Sequence, residues 1–85
     1  MFGYVKRNKY AQKEEHFRRL LRQQRIDKGL TQKALADIIG VPQSFVSKYE
    51  SGERLLTFTE TVTLCQALQV NPQALLMDYL SHHDT

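Results

Sequence analysis

One cysteine, Cys65, among 85 residues rules out an internal disulfide, so the chain makes no demand for an oxidising compartment. Glycine is nearly as scarce: the four present form no run that could cradle a phosphate. No long apolar stretch occurs, and Lys6, Arg7 and Lys9 stand where a signal peptide carries its apolar core. The expectation is a cytoplasmic protein with no membrane span. His16, His82 and His83 share no spacing with Cys65 or the acids that resembles a metal-ligand set, so no metal and no cofactor are expected. Cys65 falls among apolar neighbours at helical spacing, where a small core residue fits better than a nucleophile, and an enzymatic role is not expected. No segment alternates like a strand, and there is no internal repeat.

What is present suits a single small domain: 41% hydrophobic and 25% charged residues are near globular averages. The net charge of +3 is unevenly placed. Residues 1–28 carry nine Lys or Arg against Glu14, Glu15 and Asp27, while residues 29–85 carry Lys33, Lys48 and Arg54 against six acids. The first part is therefore +6 and the second −3. Such a basic end in a small domain attracts a polyanion.

The segment 30–52, LTQKALADIIGVPQSFVSKYESG, is the most informative. Thr31 is placed to cap a helix over 32–39, with Leu30 and Leu35 in staple positions around the cap. Ala34, Leu35, Ile38 and Ile39 are expected to share its inner side. Gly40 can take the left-handed geometry that ends a helix, and Val41 plugs the turn. A second helix over 43–51 follows, anchored by Val46 and Tyr49, with Gln43, Ser44, Ser47 and Lys48 on the opposite face.

The flanking chain completes an all-α, compact five-helix pattern. Residues 1–13 show no helical periodicity and are read as a basic N-terminal arm; the first helix is expected over 14–28, with Phe17, Leu20 and Leu21 as its apolar stripe. Thr57 with Glu60 forms a capping box before Phe58, Val62, Cys65 and Leu68. Asn71 and Pro72 open a last helix bearing Leu75, Leu76, Tyr79 and Leu80. The domain is expected over 14–80, with a frayed tail over 81–85.

The register Leu30, Gln32, Leu35, Ala36, Gly40, Val41, Val46, Ser47, Glu50, Gly52, continued by Phe58, Leu64, Ala67, Leu68 and Val70, resembles the helix-turn-helix of phage-repressor and Cro-type regulators. The resemblance runs without a gap from about Arg18 to Leu80. It implies a lambda-repressor-like fold and a sequence-specific double-stranded DNA-binding transcriptional regulator, a repressor by expectation. By resemblance, Gln43, Ser44, Ser47 and Lys48 contact bases from the recognition helix, a glutamine being able to pair bidentately with adenine. Gln32, Ser51 and Arg54 are the implied phosphate contacts, and Arg25 with Glu50 the implied internal ion pair. A homodimer on a pseudo-palindromic operator is expected, with Leu55, Leu56, Leu76, Tyr79 and Leu80 as its surface.

Several positions depart from the family pattern. Gln24 replaces an apolar residue, Pro42 replaces a side-chain cap, and Leu55-Leu56 replaces a basic or proline-containing loop. The two leucines either tuck onto the fourth helix or face another subunit. Phe45 stands where Ser or Thr is frequent, and either touches a thymine methyl or folds back on the core. The alternative function is an antitoxin-type or adaptor module, binding a small protein partner as well as DNA.

Overall fold

A computed structural model of the chain describes residues 9–81. Its elements are α1 (Lys9–Asp27), α2 (Gln32–Ile39), α3 (Gln43–Ser51), α4 (Phe58–Leu68) and α5 (Pro72–Leu80), with no strand among the described residues. The expectations for residues 1–8 of the arm and 82–85 of the tail lie outside the described residues.

α1 starts earlier than periodicity suggests, so residues 9–13, assigned to the arm from sequence, are helical. Two local supports explain the extra turn. Tyr10 interacts with the Glu14 carboxylate one turn on, which raises its phenol pKa, and α5 lies alongside α1. Neither support leaves an apolar repeat for a pattern search to find.

The turn between α2 and α3 is built as its residues dictate. Thr31 Oγ1 accepts from Ala34 N at 3.0 Å, satisfying one of the orphan donors of the first turn. Gly40, at φ 75°, closes α2 by donating to the carbonyls of Ala36 and Asp37, and Val41 N donates to Ala36 O at 3.0 Å. Pro42 then starts α3 with no side-chain cap. α4 opens on the capping box: Glu60 N donates to Thr57 Oγ1 at 3.0 Å, and Thr57 N donates to Glu60 Oε1 at 2.9 Å. Its end is less ordinary, for Gln69 takes the left-handed conformation at φ 58° where glycine is the usual choice.

Leu21, Leu35, Ala36, Val46, Tyr49, Leu64, Cys65, Leu68 and Leu75 form the core, so every helix contributes to it. α2 lies against α3 and α4, and α1 against α3 and α5. This clamps α3 on its inner side and leaves its other face open.

Two inner assignments, Ile38 and Phe58, are corrected, and two residues named for the dimer surface, Leu56 and Tyr79, make contacts within the chain. Ile38 is 57% exposed, whereas its place inside is taken by Ala36. The buried side of α2 centres between Leu35 and Ile39, and Ile38 lies at its edge, over Leu30 and Ala67. Phe58 is 84% exposed: as the first residue of α4 it projects beyond the face that buries Leu64, Cys65 and Leu68. Leu55 and Leu56 divide the alternatives between them, Leu55 being exposed and Leu56 packed on the core. Tyr79 is held within the chain, stacked on His16 at 5.8 Å and edge-on to Phe17 at 6.3 Å, because α5 docks on α1 through it.

Candidate nucleic-acid interface

α3 presents Gln43, Ser44 and Lys48 exposed along one side. Lys48 makes no ion pair with any described residue, so its ammonium group stays available to an anion. Ser47 is half-buried and donates to Ser44 O at 3.3 Å, which spends its one donor inside the helix. Ser51 is exposed and likewise turned to backbone, donating to Lys48 O at 3.0 Å. Phe45 does not project with Gln43 and Ser44. It folds back, edge-on to the buried Tyr49 at 5.8 Å, with the Arg54 guanidinium 4.5 Å above its ring.

A buried charge cluster fixes α3 from behind. Arg25 Nε donates to Glu50 Oε2 at 2.8 Å and Nη2 to Oε1 at 3.0 Å, a bidentate pair; Nη1 donates to Leu30 O at 2.8 Å. The Arg25 and Glu50 side chains are 10% and 4% exposed. The hydrogen bond to Glu50 holds the Arg25 guanidinium above its ordinary pKa, against the opposing effect of burial. Gln32 Nε2 adds a donor to Glu50 Oε1 at 3.0 Å. The first residue of α2 is thus joined to α3, and its amide is engaged inside the protein rather than standing free toward a phosphate.

Arg54 is placed differently from its sequence-based role. Its guanidinium clasps Glu60 through two bonds of 2.9 Å and donates to Leu55 O at 3.1 Å, so the expected phosphate clamp is largely neutralised internally. Glu60 is held there by both Arg54 and the Thr57 N–H. Arg54 first, then that backbone donor, lowers its carboxyl to about 2.

Two cations that sequence reasoning passed over lie beside this cluster. Arg22 Nε is 3.8 Å from Glu50 Oε1 while its side chain remains 59% exposed. The Arg18 guanidinium lies over Gly52, its carbon 3.0 Å from where a Cβ would stand. Gly52 at φ 91° needs glycine for its backbone, and the same bare surface admits Arg18. The spacing 18, 22, 25 on one helix face is the signal that could have selected them from the nine cations of the basic end.

No metal-holding group of three His, Cys, Asp or Glu exists among the described residues. No helix of the described residues is long and apolar enough to cross a membrane. Between α1, α4 and α5 runs an apolar groove of about 440 Å³, lined among others by Phe17, Phe58, Val62, Cys65 and Leu76. Burial raises the Cys65 thiol pKa, which disfavours the reactive thiolate.

Residues 21–75 match the family described as Helix-turn-helix. A solved structure, an XRE-family like protein from Pseudomonas syringae pv. tomato str. DC3000, is 38% identical with a TM-score of 0.81, covering 85% of this chain and 88% of its own. No curated protein matches the sequence. The chain belongs to the Cro/C1-type helix-turn-helix family. It is a DNA-binding transcription regulator of that kind, with the five-helix all-α fold that the resemblance implies.

Two measurements check the electrostatics. Glu50→Gln should cost about 3 kcal/mol in denaturant unfolding, because it leaves Arg25 buried beside a neutral partner; an unchanged midpoint would eliminate the buried bridge. The Glu60 side-chain carbon should titrate near 2 rather than in the ordinary range. Since the folded-state pKa is the depressed one, its stabilising effect is fully present above the unfolded carboxylate range and is lost as pH falls through about 2.

Proposed function

We propose that the protein is a repressor that binds a pseudo-palindromic operator as a homodimer, with α3 in the major groove. The observation that carries this reading is the open face of α3, with Gln43, Ser44 and Lys48 exposed beside a cationic α1. Gln43 and Ser44, at the start of α3, are the principal base readers. Lys48 lies one turn on and reaches guanine or a phosphate. Ser47, half-buried and bonded to Ser44, contributes a secondary contact. With the Gln32 amide held by Glu50, the start of α2 offers a phosphate its main-chain N–H groups, Ser51 contributes a secondary contact, and Arg18 and Arg22 add the positive charge that Arg54 has committed to Glu60. Chemistry is not part of this role, and the cytoplasm is its place.

Dimerisation draws on apolar surface left by folding. Leu55, Leu76 and Leu80 are 59%, 53% and 59% exposed, and Phe58 and Met77 join them at 84% and 64%. Leu56 and Tyr79 contribute less, being held inside. The antitoxin-type reading draws on the same apolar groove, and co-purification of a small protein partner would favour it.

Selection of sites from random duplex DNA tests the main reading. It should return two inverted half-sites about one helical turn apart. On the selected site Gln43→Ala should cost about 1–3 kcal/mol and relax preference at one position per half-site; equal loss on random DNA would remove Gln43 from the base readers. Sedimentation at micromolar concentration should show a dimer, at least on the operator, and a monomer under both conditions would end the dimer proposal.

A further inference from the structure

Arg54, Glu60 and Phe45 lie outside the base-reading face, yet they form one continuous stack that ends beneath it. Glu60 is fixed at the start of α4 by the Thr57 N–H at 2.9 Å. It grips both Nη atoms of Arg54 at 2.9 Å. The guanidinium covers the Phe45 ring at 4.5 Å, and the ring meets Tyr49 edge-on at 5.8 Å. Arg54 is tied to α3 through its backbone as well, its N–H donating to Lys48 O at 3.2 Å. Tyr49 is fully buried, so the stack has a fixed foot in the core and a fixed head in the cap of α4.

Phe45 follows Gln43 and Ser44 directly in the first turn of α3. The Arg25–Glu50 pair anchors α3 near its C-terminal end, whereas its first turn starts at Pro42 with no side-chain cap, and a turn held only by apolar contacts can roll about the helix axis at little cost. A roll of about 20° moves atoms at a side-chain radius of about 6 Å by roughly 2 Å, enough to break a hydrogen bond. A planar ring caught between a guanidinium and a core aromatic resists that motion. We infer that the Glu60–Arg54–Phe45 stack sets the roll of the first turn of α3, and that Arg54 and Glu60 are positioning residues for sequence reading rather than ligands of phosphate. The inference rests on the proposed base-reading role of α3. Charge supports it: a guanidinium already paired with a carboxylate displaces no counterion from DNA, so Arg54 adds selectivity without adding salt dependence.

The test compares Arg54→Ala and Glu60→Gln with the parent protein on its selected site and on random duplex over a range of salt. Glutamine can still accept the Thr57 N–H, so Glu60→Gln keeps the capping box while releasing the charge of Arg54. In Arg54→Ala the ratio of specific to random affinity should fall about tenfold with an unchanged salt slope, and Arg54→Lys, lacking the planar fork, should not restore it. In Glu60→Gln the ratio should fall similarly while the slope steepens by about one unit, because a free cation has been exposed. Backbone amide resonances of Gln43 to Lys48 in the free proteins should shift in both variants. A slope reduced by about one unit in Arg54→Ala, with equal weakening on both DNAs, would make Arg54 a phosphate ligand and overturn the inference. Unmoved amide resonances would overturn it too. If the parent protein selects no sequence, the base-reading role fails instead, and the amide resonances still decide whether the stack holds α3.

Discussion

The bidentate contact between Arg25 and Glu50 is the constraint on which the arrangement of the first three helices depends. It joins the end of α1 to the far end of α3, while Arg25 also holds Leu30 O and Glu50 also holds Gln32. Four segments therefore converge on two side chains that are almost wholly withdrawn from water. Burying such a pair offers little net stability over apolar packing, because desolvation offsets the attraction. What it provides is registration. Apolar surfaces slide past one another with small changes in energy, whereas a buried carboxylate with three donors tolerates one placement.

Around that anchor, α3 is braced from two directions by unlike means. On the α1 and α2 side the brace is the charge cluster together with Leu35, Val46 and Tyr49. Toward α4 it is the aromatic ring of Phe45 under Arg54. The loop between α3 and α4 is consequently not a loose connection: its arginine is spent on Glu60 and Leu56 is folded onto the core, while Leu55 remains outside.

Much of this was legible in the residues themselves, because local rules act over a few positions. Thr31, Gly40, the Thr57 and Glu60 box and Asn71-Pro72 each mark a helix end through a bond to the next turn. Helical spacing located Leu21, Leu35, Val46, Tyr49, Cys65 and Leu68 inside. It misplaced Ile38 and Phe58, since spacing gives a face but not its width, and a first-turn residue can overhang its neighbour. The start of α1 escaped notice because a Tyr10 to Glu14 contact and the docking of α5 support it. The pairing of Arg54 escaped notice for a related reason: a cation in that loop looks free for a phosphate until its carboxylate partner, six residues on, is seen to face it. The open face of α3 was legible from residue type alone; the backing of Phe45 was not, because it depends on three segments meeting.

The placement of charge along α1 has a kinetic meaning. Electrostatic attraction reaches about 8–10 Å at ordinary ionic strength and acts before any side chain has found its partner, so it governs the rate of encounter. Hydrogen bonds to base edges form last and govern how long a complex endures. In the proposed reading, with Arg18 and Arg22 on α1 and Gln43 and Ser44 on α3, arrival and residence fall to different helices. Substitutions at the start of α3 can then change which sequence is retained while leaving the speed of search along DNA almost as it was.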